Sequence, residues 1–300
     1  MAAMADGRDW ISALPPRLER HRRALARLLE FCEISPAVTS LSVGCSLGRG
    51  AADELSDVDA AMGVGAARGA AGAGRIRDVE KSLVEHLRGE QLIDVLREES
   101  STGDFFIRRV FAQLSNGVQL DLAVIAEAEV RRGEAAPDFV SLYPAGGFGE
   151  EVVMPSAYDV AAEQVRTWAF QGWRALLDAD KYVRRGSPWE AHQRLGEARQ
   201  HIWALWAAAL GTSYPWHGLS QVLDHDPSSL PDGIEATVAG LDLAELRSAM
   251  VASASVLDDV SAAAAHRCPT SLPTGLAAFT RAVLAGQRSP TTYPEAGDRP

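Results

Sequence analysis

The sequence predicts an α+β protein in which an N-terminal mixed-sheet domain is followed by a C-terminal helical bundle domain. Short alternating apolar runs, separated by glycine and turn residues, fill the first 130 residues and are typical of strands. After a segment rich in glycine, proline and acid, the apolar residues recur at helical spacing. We therefore expect domains at 1–130 and 157–288, a linker at 131–156 and a disordered tail at 289–300.

The composition excludes several classes of protein. The chain has 29 basic and 40 acidic residues, a net charge of −11, and only two of its basic residues are lysines. This excess of acid, spread evenly along the chain, disfavours a nucleic-acid partner. The cysteines, Cys32, Cys45 and Cys268, form no C-x-x-C pair. The longest apolar run, 202–210, is too short for a membrane span, and no basic segment precedes an apolar one at the N-terminus. We expect a soluble, reduced, cytoplasmic protein with no membrane partner.

Within the first domain the pattern predicts helices alternating with strands. The expected elements are a helix at 17–33, a strand at 38–43, a glycine-rich loop at 44–50, a strand at 56–64, a low-complexity loop at 63–74, a helix at 75–88, a strand at 91–96 and a hairpin at 108–125. In the hairpin, Asn116-Gly117 separates two alternating runs, and a three-residue loop at 115–117 pairs Leu114 with Val118. This register places Arg109 and Asp121 on its polar face.

The second half reads as helices with clear end signals. The expected helices are 157–184, 188–210, 241–259 and 272–286, with a loop at 212–233. For the helix at 188–210 we expect Ser187 as N-cap, Pro188 as first residue, Glu190 closing a capping box and Gly211 ending the helix.

Two acids mark the candidate chemistry. Asp57 and Asp59 lie at the start of a predicted strand, where residues two apart point to the same face. Two carboxylates held together repel each other unless a positive charge lies between them. Magnesium takes carboxylate oxygens together with phosphate oxygens from a substrate. The pair therefore predicts a Mg²⁺ site.

The residues around this pair favour a triphosphate ligand. The preceding loop, Gly44 to Gly50, offers backbone N–H groups to an anion, Ser46 adds a hydroxyl, and Arg49 adds a guanidinium. Asp121, on the polar face of the hairpin, supplies a third carboxylate. A lone pair of acids is usually a solvated edge and a lone glycine-rich stretch is usually a turn. Their occurrence in this order is what indicates a metal–triphosphate site that moves a phosphoryl or nucleotidyl group.

Residues 46–59, SLGRGAADELSDVD, resemble the active-site signature of the nucleotidyltransferase superfamily, which has the polymerase-β-like fold. In that signature a Gly-Ser pair precedes, by eleven residues from the serine, the first of two metal-binding acids, and Ser46, Asp57 and Asp59 keep that spacing. Asp121 resembles the third carboxylate of the family, which either ligates metal or acts as general base. The family glycine before the serine is replaced by Cys45, and Gly44 is expected to make the turn instead.

Residues 175–205 are similar in pattern to the helical domain of antibiotic nucleotidyltransferases that act on aminoglycosides and lincosamides. The resemblance implies Mg²⁺-dependent transfer of AMP from ATP to a hydroxyl of a small molecule, such as a cationic antibiotic. Two other functions stay open: a protein-AMPylating enzyme of the toxin–antitoxin type, and a catalytically degenerate nucleotide-binding regulator. The sequence is silent on oligomeric state.

Four residues of the helical half are further candidates. Lys181 is a candidate ligand of the β- and γ-phosphates, or it pairs with Asp178 on the helix surface. Trp168 and Trp173 are candidates to stack on a sugar or drug ring, or they are core residues. Asp178 is a candidate contact for a cationic acceptor.

Overall fold

The computed structural model describes residues 7–88, 92–102, 105–130, 139–144, 160–212 and 214–287. The chain divides into two compact units, residues 1–156 and 157–300, and each has its own hydrophobic core. The predicted tail at 289–300 and most of the predicted linker lie outside the described residues. The α+β class is confirmed, because a six-stranded mixed sheet occupies the first unit and helices make up the second.

The first unit contains helices and strands in mixed order. They are α1 (Gly7–Ala13), α2 (Glu19–Ile34), β1 (Val38–Val43), α3 (Cys45–Gly48), β2 (Val58–Val64), α4 (Ala73–Arg88), β3 (Leu92–Thr102), β4 (Phe105–Leu114), β5 (Gln119–Ala126), α5 (Glu127–Val130) and β6 (Val140–Tyr143). The strands lie in the order β3-β4-β5-β2-β1-β6. Only the central pair, β2 and β5, is parallel, and the other neighbouring pairs are antiparallel.

The two faces of the central strands differ in burial. In β2, Val58, Ala60 and Met62 are buried, whereas Asp59 and Ala61 are partly exposed. The apolar residues of α2 and α4 belong to the same core as these buried strand residues. Because side chains alternate along a strand, burial of one face leaves the other available for polar chemistry.

The hairpin has the predicted register. The amide of Leu114 donates to the carbonyl of Val118 at 2.9 Å, and Val110 faces Leu122. Gly117 has a φ of +92°, which glycine adopts without the steric cost paid by other residues. The register predicted from the turn residues and from the alternation of apolar residues is therefore confirmed.

Several elements of the first unit differ from the prediction. Helix α1 was not foreseen, and β3 extends to Thr102, six residues beyond its predicted end at 96. The range 131–156, predicted as a linker, contains β6, which pairs antiparallel with β1. Strand pairing depends on a partner distant in sequence, so a four-residue strand inside a segment of turn-forming composition carries little local signal.

The regular secondary structure described in the second unit is all helical. Its helices are α6 (Ala162–Arg184), α7 (Pro188–Leu210), α8 (Leu219–His225), α9 (Leu243–Arg267) and α10 (Thr274–Leu284). Helix α8 lies within the range predicted as a loop, and α9 continues eight residues past its predicted end at 259. Among the described residues, no helix is long and apolar enough to cross a membrane.

The turn between α6 and α7 corrects the predicted capping box. Pro188 begins α7 and Gly211, at φ +74°, ends it, as expected. Ser187 holds the N-cap position, but its side chain makes no capping bond. Its own N–H donates to the carbonyl of Tyr182 at 3.0 Å and so closes the end of α6. Because that N–H is already used, Glu190 has no capping-box partner.

Candidate active site

Two of the three predicted acids face each other across the parallel pair of strands. Asp59 of β2 and Asp121 of β5 are register partners. Neighbouring strands lie about 4.8 Å apart, and partners in a parallel pair project to the same face. Both side chains are partly exposed, on the face opposite the buried residues of their strands. The fold thus brings together two acids that are 62 residues apart in the sequence.

Asp57 lies one residue before β2 and is exposed. It lines a pocket of about 570 Å³ together with Asp121. The other residues of this pocket come from β3, β4 and β5 and are Asp94, Val95, Leu96, Phe111, Ala112, Gln113, Gln119 and Leu120. Three carboxylates, two amides and five apolar residues therefore line the pocket, and Asp59 is not among its lining residues.

Asp121 has a pKa above the ordinary value of an aspartate. Partial burial raises its pKa, because a charged carboxylate loses hydration there. The guanidinium of Arg109, whose Nη2 lies 3.2 Å from Asp121 Oδ2, opposes that effect. The negative charges of Asp57 and Glu98 raise the pKa further, which indicates that Asp57 and Asp121 act on each other electrostatically.

The loop after β1 forms a short helical turn, α3, rather than an open loop. The amide of Gly44 donates to the carbonyl of Asp59 at 3.0 Å, so the turn begins directly beside β2. Cys45 has a φ of +53° and is the one non-glycine residue with positive φ in the described ranges. Gly44, the residue expected to make the turn instead of Cys45, has a φ of −134°, so the positive φ of this turn lies at Cys45 itself.

Gly44 is required for a different reason, which is close packing. A Cβ atom at this position would lie 2.4 Å from Cε2 of Phe139, closer than any real contact allows. Phe139 directly precedes β6, so the start of this edge strand packs against the loop at 44–50. Glycine therefore lets an aromatic ring cover the start of the loop.

Ser46 is one of several residues whose buried hydroxyl lacks a partner among the described residues. Leaving a buried polar atom without a hydrogen-bond partner costs about 1–3 kcal/mol of free energy, and a bound ligand or water would remove that cost. Arg49, at the end of the same turn, is exposed. The position of Ser46 thus agrees with a role in binding an anion.

The side chains as they stand do not form a closed metal site. In the described ranges, no three His, Cys, Asp or Glu residues are arranged to hold one metal ion. Asp57 and Asp59 supply oxygen donors of the kind that Mg²⁺ prefers. Asp121 has its oxygen turned to Arg109 instead. A two-carboxylate site completed by phosphate oxygens fits these residues better than a three-carboxylate cage.

The candidates of the helical unit lie in surroundings that differ from one another. Lys181 Nζ lies 2.7 Å from Asp178 Oδ1 and 4.7 Å from the ring centre of Tyr182, so the pairing alternative is the arrangement present. Trp168 and Trp173 are 8% and 2% exposed and belong to the helical core. The suggestion that either ring stacks on a ligand is therefore wrong for this structure, because neither presents an open face.

Sequence reasoning missed Asp94 and the ion pair that Arg109 makes. Asp94 lines the pocket from β3, and Arg109 pairs with Asp121. Arg109 was foreseen on the polar face of the hairpin, and its diagonal position relative to Asp121 in the predicted register was the signal for the ion pair. Asp94 gave no such signal, since its neighbour in β4 depends on a long-range register.

Comparison with known proteins finds distant likeness only. No protein-family model matches the chain, and no curated protein does. Among solved structures, an aminoglycoside 6-adenyltransferase from Bacillus subtilis aligns with a TM-score of 0.37 and 13% identity, covering 87% of this chain and 95% of the other. Terminal uridylyl transferase 4 from Trypanosoma brucei aligns with a TM-score of 0.27 and 15% identity, covering 67% and 59%. Likenesses this distant identify neither a substrate nor a reaction.

Proposed function

We propose that this chain is a nucleotidyltransferase that transfers AMP from ATP to a hydroxyl of a small molecule. The observation that carries the proposal is the register of the two central strands, which makes Asp59 and Asp121 direct neighbours. Asp57 stands just before the same strand and shares a pocket with Asp121. Two acids that line one pocket, a third that neighbours Asp121 in the sheet, and a buried serine hydroxyl in the preceding turn together suit a triphosphate and an acceptor side by side.

Asp57 and Asp59 are the residues that would hold Mg²⁺. Carboxylate oxygens are its preferred ligands, and the orphaned hydroxyl of Ser46 suits the phosphate oxygens that would accompany it. When bound, the ion neutralises negative charge on the triphosphate. Ser46 and Arg49 would orient the triphosphate, with Lys181 as a further candidate for its β- and γ-phosphates. Lys181 would then have to leave its present partner, Asp178.

Asp121 would act as the general base, with metal ligation as its other possible role. In the proposed step the acceptor hydroxyl oxygen forms a bond to the α-phosphorus. The bond between that phosphorus and the bridging oxygen breaks, and pyrophosphate leaves with the electron pair. The hydroxyl proton passes to the carboxylate of Asp121, a contribution of about 10²–10⁴-fold for a well-placed base. Partial burial supports this role, because it makes the Asp121 carboxylate a better proton acceptor.

The pocket favours a cationic acceptor. Asp57, Asp94 and Asp121 line it, no basic side chain is among those of its lining residues that the structure describes, and Gln119 adds an amide group suited to hydroxyls. An aminated, hydroxyl-bearing molecule such as an aminoglycoside or a lincosamide antibiotic fits that chemistry. Negative lining groups attract such a molecule over neutral or acidic hydroxyl compounds.

A mass-spectrometric panel tests the proposal. The purified protein is incubated with ATP, Mg²⁺ and individual aminoglycosides or lincosamides, and the mass of each product is measured. We expect an AMP adduct on at least one aminated acceptor, and its loss in the Asp57→Asn and Asp59→Asn variants. Asp78→Asn, which changes an exposed acid of α4, serves as the control that keeps activity. AMP found only on protein would favour the AMPylating alternative, and no adduct anywhere would favour a nucleotide-binding regulator.

A further inference from the structure

The first turn of α2, together with the short 3-10 turn Pro16–Leu18 before it, holds the loop at 51–56 that leads to Asp57. Three of its side chains donate to three alternate carbonyls of that loop, with Arg17 on Ala52 at 3.3 Å, Arg20 on Glu54 at 2.8 Å and His21 on Ser56 at 2.7 Å. A loop bonded at every second residue to α2 and to the turn before it has a fixed position relative to that helix. Asp57 follows directly on the last of these bonds.

Arg20 also reaches the hairpin. Its Nη1 donates to the carbonyl of Asn116 at 2.9 Å, while its Nη2 donates to Glu54. Glu54 precedes Asp57 by three residues, and Asn116 precedes Asp121 by five. One planar guanidinium therefore joins the two segments that carry these acids, and its rigid fork fixes their separation better than two independent bonds would.

His21 is the buried member of this contact. Its side chain is 0% exposed, and Nε2 must carry the hydrogen because a carbonyl only accepts. Its Nδ1 is buried without a partner in the described part of the chain. Burying a ring with one unsatisfied nitrogen costs free energy. An apolar residue would avoid that cost, so the bond to the Ser56 carbonyl is what the histidine adds.

The loop does not need α2 for its own shape. Asp53 Oδ1 accepts from the amide of Leu55 at 2.9 Å, and the amide of Asp53 donates to Ser56 Oγ at 3.0 Å, so the turn closes on itself. What this internal bonding leaves open is where the turn lies relative to β5. The contacts with α2 and, through Arg20, with the hairpin determine that position.

We propose that Arg20 and His21 are positioning residues that set the placement of Asp57 relative to Asp121. The inference rests on the proposed function, since it assigns these residues to the same metal and triphosphate site. Displacement of a reacting group by about 1 Å costs up to about a hundredfold in rate. The loss falls on the chemical step and on metal affinity rather than on the stability of the fold.

The first test compares Arg20→Met with Arg23→Met. Arg23 lies on the same helix, is largely exposed and pairs with Glu19, so its variant controls for loss of a surface arginine. Mn²⁺ affinity in the presence of ATP is measured by the free-ion EPR signal, and kcat and KM for ATP are measured separately. For Arg20→Met we expect Mn²⁺ affinity to fall about fivefold and kcat about tenfold or more, with KM within about twofold. Arg23→Met should match wild type in all three.

The second test uses rescue at His21. Gln places an amide N–H near the position of Nε2, whereas Leu offers no donor. We expect His21→Gln to keep Mn²⁺ affinity and kcat within about threefold of wild type, and His21→Leu to lose about tenfold in kcat. Thermal unfolding of both variants shows whether a loss of kcat or of Mn²⁺ affinity results only from lower stability. If His21→Leu does not fold, the Arg20 comparison decides.

The outcomes separate this inference from the proposed function. Wild-type transfer with Arg20→Met equal to Arg23→Met overturns the positioning role and leaves the proposed function standing. Mn²⁺ binding that Arg20→Met weakens, without transfer to any acceptor, supports the positioning role and counts against the proposed activity. A wild-type protein that neither binds Mn²⁺ with ATP nor transfers a nucleotide overturns both.

Discussion

In the loop at 44–50, the backbone conformation of Cys45 is strained. A non-glycine residue in the left-handed region, here at φ +53°, loses about 1–2 kcal/mol relative to an allowed conformation. We expect Cys45→Gly to raise the free energy of unfolding by up to about 1 kcal/mol, after the larger chain entropy of glycine is subtracted. Cys45→Val should lower it by at least about 1 kcal/mol, because β-branched residues resist this conformation.

Urea unfolding of the Gly, Ala and Val variants at position 45 measures these differences. Cys45→Ala removes the thiol but keeps the same backbone cost, so it separates conformation from side-chain chemistry. Equal stability of the Ala and Val variants would contradict a left-handed Cys45.

Cys32 offers a second prediction at the scale of one side chain. It is 1% exposed on α2, and burial raises the pKa of its thiol to about 12. The thiolate of Cys32 therefore forms only at a pH far above that at which a cysteine ordinarily ionises. At about pH 8.5 fewer than about one molecule in a thousand carries it. We expect iodoacetamide to alkylate the partly exposed Cys268 in the native protein and to leave Cys32 unmodified until urea unfolds the first unit.

Peptide mapping after a short alkylation pulse checks this. Cys32→Ala should leave the native labelling pattern unchanged and remove one labelled peptide only in urea. Labelling of native Cys32 at the rate of Cys268 would contradict its burial.

Among single residues, the sequence allowed the acids to be predicted but not their partners. Asp57, Asp59 and Asp121 follow from residue type, spacing and strand alternation, all of which are local. The ion pair of Asp121 with Arg109, and the bonds of Arg20 and His21 to the loop, depend on which distant segments fold together. The sequence alone could not assign those partners.

At the scale of elements, the loop after β1 and the segment before β6 are packed together through Gly44 and Phe139. We expect Gly44→Ala to destabilise the protein by about 2 kcal/mol, a typical cost of overpacking, because its new Cβ meets the ring. In a Phe139→Ala background the same change should cost less than half as much. A double-mutant cycle in urea measures the coupling, and additive effects would contradict the contact.

The hairpin and the α6–α7 turn show why some elements could be foreseen in detail. The hairpin register follows from the Asn116-Gly117 pair and from the alternating apolar residues on either side of it. It therefore depends on neighbours within a few positions. At Ser187 the local signal for a capping box was present, but the preceding helix used the same N–H to close its own end. The short strand β6 had no local signal, because its stability comes from β1.

At the scale of the whole molecule, the two units have separate apolar cores. The second core is made of residues from Val165 to Ala277, all within one continuous stretch. We expect a fragment of residues 157–300 to keep its helices and to unfold cooperatively, as a domain with its own core does. Circular dichroism during heating tests this, and a broad, non-cooperative loss of signal would contradict an independent second unit.

The central claim is that the acids of β2 and β5 serve nucleotidyl transfer. ATP labelled on its α-phosphorus and ATP labelled on its γ-phosphorus, each incubated with Mg²⁺ and an aminated acceptor, test it most directly. We predict that the α-label appears on the acceptor, that the γ-label leaves in pyrophosphate, and that Asp59→Asn abolishes both while Asp78→Asn does not. Appearance of the γ-label on the acceptor, or full activity of Asp59→Asn, would contradict the account.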